Sequence, residues 1–186
     1  MDSWPRGRAR DGGVDELVLP AGAEGTAGTA GRLWLAGKHA VAPNPDRLLV
    51  TMGASGIVCL NQRHELIERY PEYVEWLLRE RGRRAIWFPI PDLGAPPVAE
   101  ALTLVVELRD RLRAGEAWVV HCGAGIGRAG TIAACVLVAM GETEADALAG
   151  VATQRPMAGP EGGGQRRLVT EVSEQLRLAP RELRSS

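Results

Sequence analysis

The sequence predicts a three-layer α/β domain, a central and mostly parallel sheet flanked by helices. From Arg32 onward, short β-rich runs alternate with longer segments, the order expected of a sheet covered by helices. The longer segments repeat apolar residues at spacings of three and four, as amphipathic helices do. A length of 186 residues suits one domain that buries a substantial core without disulfides.

Taken in order, residues 1–13 mix Arg, Gly and Asp without periodicity and are expected to form a disordered tail. Residues 16–20 are a candidate first edge strand, and 21–31, almost entirely Ala, Gly and Thr, a loop. Strands are expected at 33–36, 56–60, 85–90 and 117–121, with helices at 65–81 and 98–113 between them. Three helices follow the last strand, at 127–140, 142–154 and 163–178. Pro96 and Pro97 sit where the 98–113 helix starts, where a missing amide costs little. Thr143 and Asp146 have the spacing of a capping box. The domain is expected to span 14–180, with 181–186 as a second tail.

The net charge of −1 and pI near 6.3 supply no global basic field, so neither nucleic acid nor an anionic membrane is an expected partner. Cys59, Cys122 and Cys135 cannot all pair within one chain, and no apolar-cored leader opens the sequence; a reducing cytoplasm is expected. The longest apolar run, 132–140, is far shorter than the roughly 20 residues of a membrane span and reads as a core helix. His39, His64 and His121 are scattered and no paired-ligand spacing occurs, so no metal is expected. The glycine loop lacks a Walker-type Lys-Ser/Thr ending, which argues against nucleotide hydrolysis.

Chemistry concentrates in the run Val119 to Thr131: a buried strand, a turn containing Gly123, Gly125 and Gly127, then a helix start. That order gathers backbone amides and a helix N-terminus around one point, which suits an anion. Gly123, Ala124, Gly125, Ile126 and Gly127 are therefore the expected phosphate-binding loop. Cys122, at the strand end, faces the same donors, which favour its thiolate and make it a nucleophile. Arg128 lies beyond the loop and is placed to offer its planar fork to two phosphate oxygens. Asp92, on a turn among Pro89, Pro91 and Gly94, is the polar residue nearest the third strand's end.

The string His121-Cys122, five residues, Arg128, one residue, Gly130 resembles the signature loop of the protein tyrosine phosphatase superfamily, in its dual-specificity branch. Residues 57–66 and 88–97 are similar to the small group that includes the cyclin-dependent kinase inhibitor-type phosphatases, and the likeness spans about 33–178. The resemblance implies the cysteine-phosphatase fold, with Cys122 as nucleophile, Arg128 as phosphate clamp and Asp92 as general acid and then base. Gln165 falls where relatives carry a water-positioning glutamine; a solvent-facing residue in a first helical turn is the other reading. His121 matches the residue that orients the loop, and equally reads as a core histidine. Asn61, at the end of the second strand, reads as a turn former, with an amide side chain that braces the loop as the other reading.

One departure stands out. The residue after the arginine is Ser or Thr in most relatives and Ala129 here, which predicts slow breakdown of the intermediate unless Thr131 compensates. Apolar Ala124 and Ile126 stand where phosphoinositide-directed relatives carry lysines, so inositol lipid is not expected. The Arg79 to Arg84 run reads as a solvated helix end, with a face for an acidic partner as the other reading; Arg166 and Arg167 adjoin Gln165; and Cys59 reads as a buried apolar residue, with a reversible disulfide to Cys122 as the alternative. The expected activity is cofactor-free hydrolysis of phosphomonoesters in a phosphoprotein or phosphopeptide, through a cysteinyl-phosphate. An RNA 5′-phosphatase and a non-catalytic phosphate-binding module are the alternatives. No obligate partner is evident.

Overall fold

The computed structural model describes residues 13–20 and 31–179. The expected tails and the 21–31 loop lie outside the described residues, apart from Gly13 and Gly31, both buried. Five strands form one sheet: β1 (Val14–Leu17), β2 (Arg32–Gly37), β3 (Gly56–Cys59), β4 (Ala85–Trp87) and β5 (Ala117–Cys122), in the order β1-β2-β5-β3-β4. Only the edge strand β1 is antiparallel; β2, β5, β3 and β4 run parallel.

The two-residue period of the strands divides the core into two halves. Leu33, Leu35, Val58, Leu60, Trp118, Val120 and Cys122 point to one side, where they meet α4 (Val98–Arg113), α5 (Gly127–Ala139), α6 (Glu144–Gln154) and α7 (Gly163–Leu178). Trp34, Ala36, Ile57, Cys59 and Val119 point to the other, against α1 (Lys38–Val41), α2 (Pro45–Met52) and α3 (Pro71–Arg79). The result is the three-layer α/β architecture with a mostly parallel sheet that the pattern of runs predicts. Helix α5 is buried along its whole length, which accounts for its uniformly apolar 132–140 run. No helix among the described residues is long and apolar enough to cross a membrane.

Several elements differ from expectation, each for a local reason. The first strand lies at Val14–Leu17 rather than 16–20, set by its pairing with β2. The expected 65–81 helix is broken: a 3₁₀ turn at Arg63–Glu65 stops, and α3 starts afresh with Pro71 at its first position. Proline cannot donate to the preceding turn but suits a helix start. Helices α1 and α2 were not expected, although α2 carries its own signals, with Asn44 accepting a capping bond from the Arg47 amide, Pro45 at the first position and left-handed Gly53 at the end. Strand β4 stops at Trp87, yet Phe88 and Ile90 still donate to the carbonyls of Cys59 and Leu60, with Pro89 as the residue that cannot. Helix α6 begins at Glu144, and Thr143 caps it by accepting from the Asp146 amide. In the Arg79 to Arg84 run, the Glu80 carboxylate draws in Arg79, Arg83 and Arg84.

Candidate active site

The site lies where open parallel sheets place ligands, beyond the carboxyl ends of the strands. Strand β5 ends at Cys122, level with Gly37 at the end of β2. The loop that follows has its carbonyls tied outward. Gly123 O accepts from the Lys38 amide at 3.1 Å, Ala124 O from Arg155 Nη2 at 2.8 Å and Gly125 O from Arg155 Nε at 2.7 Å. Ile126 O accepts from the Gly130 amide at 2.8 Å and more weakly from Gly159. Because each peptide is trans and planar, a carbonyl pulled outward turns the next amide inward. The amides of Ala124, Gly125, Ile126 and Gly127 are thereby aimed at the centre that the loop encircles. Gly125 is required twice over: its φ is +74°, and a Cβ there would run into the Ala36 carbonyl. At Gly127 a Cβ would collide with the Glu161 carboxylate.

Arg128 is buried in the first turn of α5, and both terminal nitrogens of its guanidinium are held by the protein. Nη1 and Nη2 donate to the two carboxylate oxygens of Glu65 at 2.7 and 2.8 Å, a bidentate pair, and Nη1 also donates to Ile90 O at 2.9 Å. Nη2 lies 3.1 Å from Asp92 Oδ1. Glu65 is itself held by the Gln62 amide at 2.7 Å and by Asn61 Nδ2 at 2.8 Å. Burial works to raise the Glu65 carboxyl, but the bonds from Arg128 and Gln62 hold it down at about 2. Burial opposes the Arg128 charge, and Glu65 more than offsets it, so the guanidinium stays charged. Glu65 was not singled out in the sequence; the Gln62-x-x-Glu65 spacing, with the carboxylate returning to the Gln62 amide, was its only signal. Asn61, read as a turn former with a bracing amide as the other reading, is buried and braces Glu65.

Asp92 is exposed, on a turn closed by the Gly94 amide donating to Pro91 O at 2.9 Å, with Leu93 at φ +57°. Gln165 fixes this turn from α7. It is buried, not solvent-facing; Nε2 donates to Gly94 O at 3.0 Å and Oε1 accepts from the Glu161 amide at 2.8 Å. Arg166 and Arg167 beside it are exposed. The Thr131 hydroxyl donates to Gly127 O at 2.7 Å, one helical turn back, which commits its proton to the backbone.

His121 is buried against α3, with Nε2 2.6 Å from Tyr73 Oη. Burial pushes its pKa down to about 3, so the ring is neutral. Cys59 pairs with His121 in register and faces the same layer, whereas Cys122 faces α5. The sheet therefore separates the two thiols, and all three cysteines are free. Burial pushes the Cys59 and Cys135 thiols up to about 12. Arg155, a residue the sequence did not mark, is buried and ties the loop to β1 through Asp15 Oδ2 at 2.7 Å and Gly13 O at 3.1 Å.

A family model described as the DSP-PTPase phosphatase domain of Swiss Army Knife proteins, PTP-SAK, matches residues 35–174. The chain belongs to this family. It is a dual-specificity-type phosphatase domain, and the loop from Cys122 to Arg128 lies inside the matched span. Among curated proteins, cyclin-dependent kinase inhibitor 3 of Sus scrofa is 38% identical over 96 residues, 51% of this chain and 45% of that protein. The chain thus matches less than half the length of that relative. Among solved structures, kinase associated phosphatase with its catalytic-site cysteine replaced by serine superposes with a TM-score of 0.69 at 18% identity, covering 90% of this chain and 97% of that one. Tk-PTP in the active form gives 0.60 at 24% identity over 84% and 99% of the two chains. Human DUSP28 gives 0.61 at 20% identity over 78% and 90%. These likenesses show a shared fold.

Proposed function

We propose that this phosphatase domain hydrolyses phosphomonoesters of proteins, phosphotyrosine with or without phosphoserine and phosphothreonine, through a cysteinyl-phosphate intermediate. The observation that supports the reading is the loop after Cys122, in which the carbonyls of Gly123, Ala124, Gly125 and Ile126 are each taken by a donor of the protein, which leaves the loop amides for a ligand, with Arg128 following at the helix start. A tetrahedral dianion is the ligand such a donor set fits. Cys122 is the nucleophile of this reading, and a reducing compartment such as the cytoplasm keeps its sulfur free.

In the first step the thiolate forms a bond to phosphorus, the phosphorus–oxygen ester bond breaks, and the leaving oxygen takes the Asp92 proton. In the second, Asp92 removes a proton from water, the water oxygen bonds to phosphorus, and the phosphorus–sulfur bond breaks to restore the thiolate. Gln165 serves this cycle by holding the Asp92 turn through Gly94 O. His121, as a neutral ring beside Cys122 in the strand, adds no charge to the site.

Turnover of para-nitrophenyl phosphate and of a phosphotyrosine peptide tests the reading. Cys122→Ser is expected to abolish both, and Asp92→Asn to lower kcat about 10²- to 10⁴-fold, the usual contribution of a general acid. Iodoacetate is expected to label Cys122 at neutral pH, vanadate to protect it, and Cys59 and Cys135 to stay unmodified. Turnover surviving in Cys122→Ser, or a Cys122 inert to iodoacetate, would overturn the assignment.

A further inference from the structure

One wall of the candidate active site carries positive charge that no step of the proposed hydrolysis uses. Strand β2 ends level with Cys122, and the next residue, Lys38, donates its main-chain amide to Gly123 O. Lys38 and His39 therefore begin at the edge of the phosphate loop. The Lys38 ammonium reaches Glu65 O at 2.9 Å, on the main chain of the residue whose carboxylate grips Arg128. His39 Nδ1 lies 2.6 Å from Tyr70 Oη, and the Arg69 guanidinium stands 5.6 Å from the centre of the Tyr70 ring. Tyr70 thus gathers His39 and Arg69 onto the surface that Lys38 opens.

Among the described residues, no carboxylate lies within ion-pair distance of the Lys38 or Arg69 cation, whereas Arg32, Arg84, Arg111, Arg128 and Arg155 each meet one. Glu65, whose main chain receives the Lys38 ammonium, commits its carboxylate to Arg128. After burial, the charges of Arg69 and Lys38 are what hold the His39 pKa down, so the three side chains feel one another. Uncompensated cations at the rim of a cleft attract a ligand of opposite charge and fix its orientation.

We propose that Lys38, His39 and Arg69 form a subsite for a second anionic group of the substrate, a carboxylate or a phosphate flanking the phosphorylated residue of a peptide. The inference rests on the phosphatase reading for its catalytic consequence, but not for binding. With a net charge of −1 the molecule supplies no global basic field, so a short anionic feature of a peptide suits this local patch better than a nucleic-acid strand.

Three peptides of one length decide it, with phosphotyrosine flanked by Asp and Glu, by a second phosphate, or by Ser and Gln. The wild type is expected to prefer the anion-flanked peptides by about tenfold in kcat/KM, about what two partly exposed ion pairs supply. Lys38→Met and Arg69→Met are each expected to reduce that ratio about threefold, and the double substitution to erase it, as should 0.5 M salt at roughly a 4 Å Debye length. Comparing the two anionic peptides shows whether carboxylate or phosphate is the better occupant. Dissociation constants measured in parallel with Cys122→Ser protein give the same ratio without turnover. Equal values for neutral and anionic peptides, a preference that survives the folded double variant, or tighter binding of a 5′-triphosphate RNA than of any peptide would overturn the subsite. If the wild type cleaves none of the peptides while the serine variant keeps the ratio, the phosphatase reading fails and the subsite stands.

Discussion

The Glu65–Arg128 pair fixes the guanidinium that the proposed function assigns to phosphate binding. With both guanidinium amines held by one carboxylate, the fork is fixed before any ligand arrives, so a bound phosphate need not order a long side chain. Charge-assisted bonds of this kind are worth about 1.5–3 kcal/mol. Glu65→Gln is therefore expected to lower kcat/KM by about 10- to 100-fold while Cys122 still reacts with iodoacetate; unchanged steady-state kinetics would show that Arg128 needs no partner. Ala129 makes a second prediction at this scale. With the Thr131 proton given to Gly127 O, neither side chain has a hydroxyl free to stabilise the departing thiolate. A pre-steady-state burst of the leaving alcohol close to one per Cys122 is expected, and Ala129→Ser should shrink it and raise kcat. A linear time course in the unaltered protein would refute slow intermediate breakdown.

At the scale of elements, the loop from Gly123 to Gly127, the proposed phosphate site, is shaped from behind by segments distant in the chain. Arg155, just past α6, holds two loop carbonyls and is neutralised by Asp15 on the edge strand β1. Removing one partner of a buried pair leaves the other uncompensated, at a cost of about 3–5 kcal/mol. Arg155→Met should therefore lower both stability and vanadate affinity. Adding Asp15→Asn removes the stranded charge and should recover much of the stability but not the affinity, because the carbonyls of Ala124 and Gly125 remain without their donor. Thermal unfolding and vanadate inhibition, measured side by side, separate these effects; joint recovery would mean that Arg155 contributes packing alone. Gln165 performs a similar task for the Asp92 turn, joining it to α7 through Gly94.

For the whole molecule, two buried groups predict loss of stability in acid. His121 takes up a proton in the unfolded chain near 6.5 but in the folded chain only near 3, so acid favours unfolding across that interval. Glu65 acts in the same direction between 4.5 and about 2, since its folded carboxyl stays ionised longer than its unfolded one. Each proton of difference contributes at most about 1.4 kcal/mol per pH unit. The urea midpoint should accordingly fall as pH drops from 6.5 to 4, and His121→Gln should flatten the upper part of that fall. A midpoint indifferent to pH over this range would contradict the neutral, buried imidazole.

What the sequence determined by itself is whatever depends on neighbours along the chain. The two-residue and 3.6-residue periods announced the layers, and the run around Cys122 and Arg128 announced a strand, a glycine turn and a helix start, because both are properties of local backbone geometry. Helix α2 was legible too, in Asn44, Pro45 and Gly53, but its eight residues carry too short a period to stand out. Only the tertiary structure decided the rest. Glu65 meets Arg128 across 63 positions, Arg155 meets Asp15 across 140, and Gln165 meets Gly94 across 71. The sheet also put Cys59 and Cys122 on opposite faces. A charge or an amide does not show in the sequence which partner it will find, since that depends on which strand ends the sheet topology brings side by side.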